Sequence, residues 1–183
     1  MREVSMRTTA QATGVERAFG SDELIVSKTD LKGRITYAND VFLRVSAFDE
    51  EEAIGQPHNV IRHPAMPRCI FALLWRTLEA GEEIFAYVVN LASDGAHYWV
   101  FAHITPSFDA SGHAVGYHSN RRVADPAAVA ACTELYGRLV AVEKQHAKPA
   151  DAIAASTEAL YEELARRGQT YDEFVWSLAG VTS

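Results

Sequence analysis

The sequence predicts an α+β domain: a five-stranded antiparallel sheet with short helices on one face, followed by a C-terminal helical extension. Three observations carry that expectation. Strand-like runs fall in the order two, then three, on either side of a helical insertion. Turn chemistry at Ser93-Asp94-Gly95 and around Gly112 separates the last three runs. After Asp125-Pro126 the composition changes to Ala, Glu and Leu. Three segments follow: an N-terminal arm (1–20), a sensor-sized domain (21–124) and a helical extension (125–183).

Taken in order, residues 1–20 are polar and weakly patterned, an arm that is mobile or forms a short helix over 15–19. Residues 23–27 and 34–38 read as the first hairpin, turned by a segment in which Gly33 supplies positive φ. Asn39 and Asp40 can cap a helix that carries Val41, Phe42 and Val45. A second short helix starts at the acidic run 49–52 and stops at Gly55. Residues 70–78 form an amphipathic helix ended by Gly81. Strands are expected over 83–92, 96–107 and 114–123. Pro149 divides the tail into helices over 127–148 and 151–167, and Thr170 to Glu173 reads as a capping box for a last helix through Leu178.

Composition narrows the function classes. The 183-residue chain is 48% hydrophobic and 22% charged, which suits a packed core. Its formal charge is −7, and its basic pairs stop at Arg121-Arg122 and Arg166-Arg167, so no footprint for nucleic acid or anionic lipid is present. No apolar run approaches the roughly 18 residues of a membrane span, and nothing near Met1 reads as a signal peptide. The expectation is a cytoplasmic protein, reaching a membrane only through a partner. Cys69 and Cys132 match no metal or redox spacing, so two reduced thiols are expected. No Gly-rich phosphate loop, nucleophile elbow or kinase signature occurs, and the chain reads as a non-enzyme.

Strand alternation supplies a candidate pocket wall. Ile84, Ala86, Val88 and Asn90 share one face of the third strand. Tyr98, Val100, Ala102 and Ile104 share one face of the fourth, and His97, Trp99, Phe101 and His103 share the other. Asn90 is the polar member of its stripe; its amide either ties strand to loop or meets a ligand that both donates and accepts. Asn39 is explained by capping or by a ligand. His97 and His103 lie about 20 Å apart along a strand, too far to share an ion.

The chain from Ser27 to Arg122 resembles the PAS domains of the aerotaxis-receptor family. The specific part is Gly55-Gln56-Pro57-His58-Asn59, followed by Arg62-His63-Pro64 and Met66-Pro67. Tyr37-Ala38-Asn39-Asp40, Asp94-Gly95, His97-Tyr98-Trp99-Val100 and Gly116-Tyr117 follow the same pattern. The resemblance implies a PAS fold that binds FAD non-covalently and reads its redox state. It implies cofactor contacts at Asn39, Arg62, His63, Trp75, Asn90 and Tyr98. Arg62 and His63 would meet a pyrophosphate or the ring edge, and Trp75 would be either core or an aromatic wall. Blue-light flavin domains carry an Asn-Cys-Arg-Phe motif where this chain has Asn59-Val60-Ile61-Arg62, so no thiol adduct is expected.

Two alternatives stand beside this one: haem b with His118 or His63 as axial ligand, or a cofactor-free module for homodimerisation or scaffolding. In the first reading the signal passes in trans to a membrane chemoreceptor. The tail then docks on the sensor or on that partner; an output role would let the sensor survive its removal.

Overall fold

A computed structural model describes residues 10–180. Five strands form one antiparallel sheet: β1 (Ile25–Thr29), β2 (Ile35–Ala38), β3 (Ile84–Leu91), β4 (His97–Phe108) and β5 (Ala114–Val123), in the spatial order β2-β1-β5-β4-β3. The first hairpin thus lies at one edge and β3 at the other. The chain between them crosses one face of the sheet as α1 (Asp40–Ser46), α2 (Glu50–Ala53), a 3₁₀ turn (His58–Ile61) and α3 (Arg68–Glu79). Space between that crossing and the sheet forms the cavity described below.

Local chemistry sets the corners. Asp30 Oδ1 accepts from the amides of Lys32 and Arg34, and Gly33 adopts φ +73°. A Cβ on Gly33 would also come within 3.0 Å of the Trp75 ring, so the turn fixes that indole from outside. The β3–β4 turn closes with Gly95 N donating to Ala92 O at 2.9 Å. Cys69 and Cys132 are free and buried, and burial pushes both thiols up, to about 11 and about 12.

The arm differs from the expected short helix over 15–19; the expectation for residues 1–9 lies outside the described residues. From Thr13 to Arg17 the chain runs beside the start of β4. Thr13 N donates to Gly95 O, His97 N to Val15 O, and Arg17 N to His97 O. The reason is an open ladder. β5 pairs with β4 only from Val100 onward, so β4's first residues have free backbone groups that the arm satisfies. Arg17 then pins the arm, donating to Val45 O at 3.0 Å and pairing with Asp94.

The tail is three helices: α4 (Pro126–Glu143), α5 (Pro149–Arg167) and α6 (Tyr171–Leu178). Asp125 caps α4 through the amides of Ala127 and Ala128, and the capping box at Thr170 and Glu173 starts α6. α4 and α6 cover the sheet's other face. The Tyr136 hydroxyl donates to Tyr87 O at 2.7 Å, Trp99 stacks on Tyr136, and Trp176 packs against Phe85 and Phe101. α5 lies against α3. Leu135, Leu139, Leu160, Leu164 and Phe174 belong to the same buried cluster as Ile25, Phe42 and Val100. Of the two docking places expected for the tail, the structure shows the sensor itself.

Candidate functional site

A cavity of about 920 Å³ lies between the sheet and the crossing helices, near the upper end of the usual range for small-molecule pockets, roughly 300–1,000 Å³. Its construction follows from strand alternation. Val88 and Asn90 of β3, Ala102 and Ile104 of β4, and Tyr117, Ser119 and Arg121 of β5 all point to it. Leu74, Trp75 and Leu78 of α3 form the facing apolar wall, with Trp75 edge-on to Tyr117 at 5.4 Å between ring centroids. Lys32, Arg62, Arg68 and Glu143 are charged members of the lining.

The deep polar end is built around Arg121, only 3% exposed. Its Nη2 donates to Ser27 Oγ at 2.6 Å and lies 2.7 Å from His58 Nε2. Because a guanidinium only donates, His58 Nε2 accepts and the ring's own proton sits on Nδ1. Burial pushes Arg121 down to about 10, which still leaves it cationic at neutral pH. Burial, and after it the Arg121 charge, holds His58 down to about 3. No carboxylate pairs with Arg121 among the described residues.

Four buried polar atoms here have no hydrogen-bond partner among the described residues: Asn90 Nδ2, Tyr98 Oη, Ser119 Oγ and Arg121 Nη1. An orphaned buried donor costs about 1–3 kcal/mol, and more when it is charged. Asn90, Ser119 and Arg121 line the cavity, so a ligand edge that accepts and donates would satisfy all three.

Of the six residues singled out in the sequence, the structure places Arg62, Trp75 and Asn90 on the cavity. The other three are absent from its lining. Asn39 is spent on the backbone: its Oδ1 accepts from Val26 N and Phe42 N, and its Nδ2 donates to Leu24 O. His63 turns away; its Nδ1 accepts from Ala65 N and its ring lies 5.8 Å from that of His97. Tyr98 is buried on the cavity side of β4 but is not part of the lining. Arg62 stacks its guanidinium on Phe71 at 4.4 Å and donates to Met66 O. His118 faces away from the cavity and bonds Asn120 Oδ1 at 3.0 Å, so neither histidine proposed as a haem ligand reaches this space.

Sequence reading missed His58, Ser119 and Arg121. The period-two pattern of β5 puts Tyr117, Ser119 and Arg121 on one face and was the available signal. Arg121 entered the sequence reading only as half of one of the chain's two basic pairs.

The neutral His58 gives a sign to pH dependence. Its folded value, about 3, lies below the 6.5 of an ordinary histidine, so between them the unfolded chain binds the extra proton. Stability is therefore complete above 6.5 and is lost as pH falls, by on the order of 1 kcal/mol per pH unit. Urea unfolding at about pH 5 should show roughly 2 kcal/mol less stability than at about pH 7. His58→Gln should flatten most of that slope; an unchanged slope in the variant would assign the proton elsewhere.

Comparison with known proteins agrees with the geometry. The family model for the PAS fold matches residues 25–120. The chain belongs to the PAS family. It is 43% identical over 121 residues to the aerotaxis receptor of Escherichia coli (strain K12), covering 66% of this chain and 24% of the receptor. It is 30% identical over 110 residues to the nitrogen fixation regulatory protein of Klebsiella pneumoniae, covering 60% and 21%. The chain thus spans less than a quarter of the length of these curated relatives. Among solved structures, the PAS domain of a Colwellia psychrerythraea protein has a TM-score of 0.51 at 24% identity, covering 55% of this chain and 85% of that one. A light-oxygen-voltage domain studied with a flavin analogue has a TM-score of 0.54 at 20% identity, covering 61% and 83%. At these identities the structures establish the fold. This PAS protein is therefore a sensor-type domain whose curated relatives are a receptor and regulatory proteins.

Proposed function

We propose that this PAS domain binds FAD non-covalently, reads its redox state and passes that state in trans to a chemoreceptor or related signalling protein. The observation that carries the reading is the set of unpartnered buried atoms on Asn90, Ser119 and Arg121 facing a cavity of about 920 Å³. A flavin ring has apolar faces and one edge of alternating carbonyl and N–H groups, which matches that arrangement. Asn90, Ser119 and Arg121 would hold the polar edge, and Trp75, Leu74 and Ile104 the faces. Lys32, Arg62 and Arg68 elsewhere in the lining offer cations to a diphosphate, favouring FAD over a shorter flavin.

The flavin supplies electron chemistry; the protein supplies hydrogen bonds whose preference differs between redox states. That difference is all a two-state sensor requires. The aerotaxis receptor among its relatives suggests the output class. No helix among the described residues is long and apolar enough to cross a membrane.

The absorbance of the purified protein tests the cofactor. Flavin gives bands at about 370 and 450 nm, whereas haem gives one strong band at about 400–430 nm. A haem band or a colourless protein that takes up no added FAD would sink the proposal. Asn90→Ala should lose about 1–2 kcal/mol of FAD affinity, roughly tenfold, with unchanged circular dichroism. Full affinity in that variant would make Asn90 a structural residue.

A further inference from the structure

We propose that Arg121 retains the negative charge of the reduced ring, so that reducing the bound flavin takes up about one proton per two electrons instead of two. This rests on the flavin reading above.

The argument starts from a cation with nothing to balance it. A charge taken out of water persists at a tolerable cost only when it is paired and hydrogen-bonded. The neighbours of Arg121 come from four elements, and none is negative. Ser27 of β1 offers a hydroxyl, His58 of the 3₁₀ turn a neutral imidazole, and Phe42 of α1 a ring face whose centroid is 5.6 Å from the guanidinium carbon. From β4, Tyr98 brings a phenol that burial keeps protonated, with Arg17 a second cation acting on it. Glu143, the carboxylate in the cavity lining, is committed to the start of α3, where its Oε1 accepts from Arg68 N and Cys69 N. Arg121 Nη1 and Ser119 Oγ remain unpartnered.

An oxidised flavin is neutral, and at N1 and the adjacent carbonyl oxygen it offers acceptors only. Two electrons and one proton, the proton at N5, give a reduced ring with a negative charge shared by N1 and the adjacent carbonyl oxygen. A second proton at N1 would remove that charge. Arg121 opposes the second proton by Coulomb attraction in a site of low dielectric, where such terms are larger than in water. The same attraction favours the reduced state over the oxidised one. The electrons come from an external reductant; in the experiment this is dithionite, which is oxidised to sulfite. His58 does not compete for the proton near neutrality, because burial and Arg121 keep it neutral.

The test is the midpoint potential of the FAD-loaded chain, followed by visible absorbance from about pH 5 to about pH 6.5, below the range in which a free reduced flavin loses its N1 proton unaided. One proton per two electrons gives a slope of about 30 mV per pH unit, and two protons give about twice that. The wild type should show the shallower slope, and Arg121→Lys should keep it. Arg121→Met should show the steeper one, with reduced-over-oxidised affinity at least tenfold lower. A steep slope in the wild type, or an unchanged slope in Arg121→Met, overturns the proposal. If Arg121→Met holds no flavin, the wild-type slope alone decides. A chain that takes up no flavin at all overturns the cofactor reading and this inference with it, and the absorbance spectrum distinguishes that failure from the others.

Discussion

Cutting the chain after Ala124 is expected to unfold the sensor rather than to release it. Leu135, Leu139, Leu160, Leu164, Phe174 and Val175 are each 2% exposed or less, and all lie beyond the cut. Fully burying one such side chain contributes about 1.5–3 kcal/mol, while a whole domain is stable by only about 5–15 kcal/mol. The loss does not end with the tail. Phe85, Trp99 and Phe101 would exchange Trp176 and Tyr136 for water, and the Tyr87 carbonyl would lose its bond from Tyr136. The truncated protein should bind a hydrophobic dye, lose its cooperative thermal transition and retain no FAD. A cooperative transition within a few degrees of the full chain would show the tail to be an appendage, and would return it to a purely output role.

How much of this was legible in the sequence depended on how local each signal was. The sheet was readable because its information is short-range: alternation in 84–91 and 97–108, and turn residues at Gly33 and Asp94-Gly95. The arm was misread because its conformation is set across the chain. Thr13 to Arg17 have no strand pattern of their own, and they run beside β4 because it leaves backbone groups free there. Half of the named site residues line the cavity, and two of the other three have polar atoms committed elsewhere. The polar atoms of Asn39 and His63 satisfy nearby backbone groups first. Arg121 went unread for the opposite reason. An arginine in a strand is ordinarily exposed, and only the pairing of β5 between β1 and β4 shows that it is buried. Buried charge breaks the local rules, and such breaks fall where function is expected.

Replacing Glu143 should uncouple the tail from the sensor without emptying the core. Glu143 is the last residue of α4 and is 9% exposed. One oxygen, Oε1, accepts from Arg68 N at 2.6 Å, Cys69 N at 3.2 Å and Ser156 Oγ at 3.0 Å. A single carboxylate therefore joins α4, the N-terminus of α3 and α5, where the helix dipole also favours its charge. It lines the cavity as well, as does Ile153 of α5, so a ligand bound there would meet the same side chain as the tail. Glu143→Ala leaves the Arg68 and Cys69 amides without their acceptor, at about 1–2 kcal/mol each, while Ser156 Oγ still reaches Ala152 O at 2.9 Å, and should cost roughly 2–4 kcal/mol in urea unfolding. Glu143→Gln keeps an acceptor oxygen and removes the charge, and should cost about half as much. The informative measurement is hydrogen exchange in α5 of the FAD-loaded protein, oxidised and then reduced. In the wild type, protection of α5 should differ between the two states; in Glu143→Gln that difference should collapse while flavin absorbance persists. Equal differences in both proteins would leave Glu143 a structural cap and send the signal by another route.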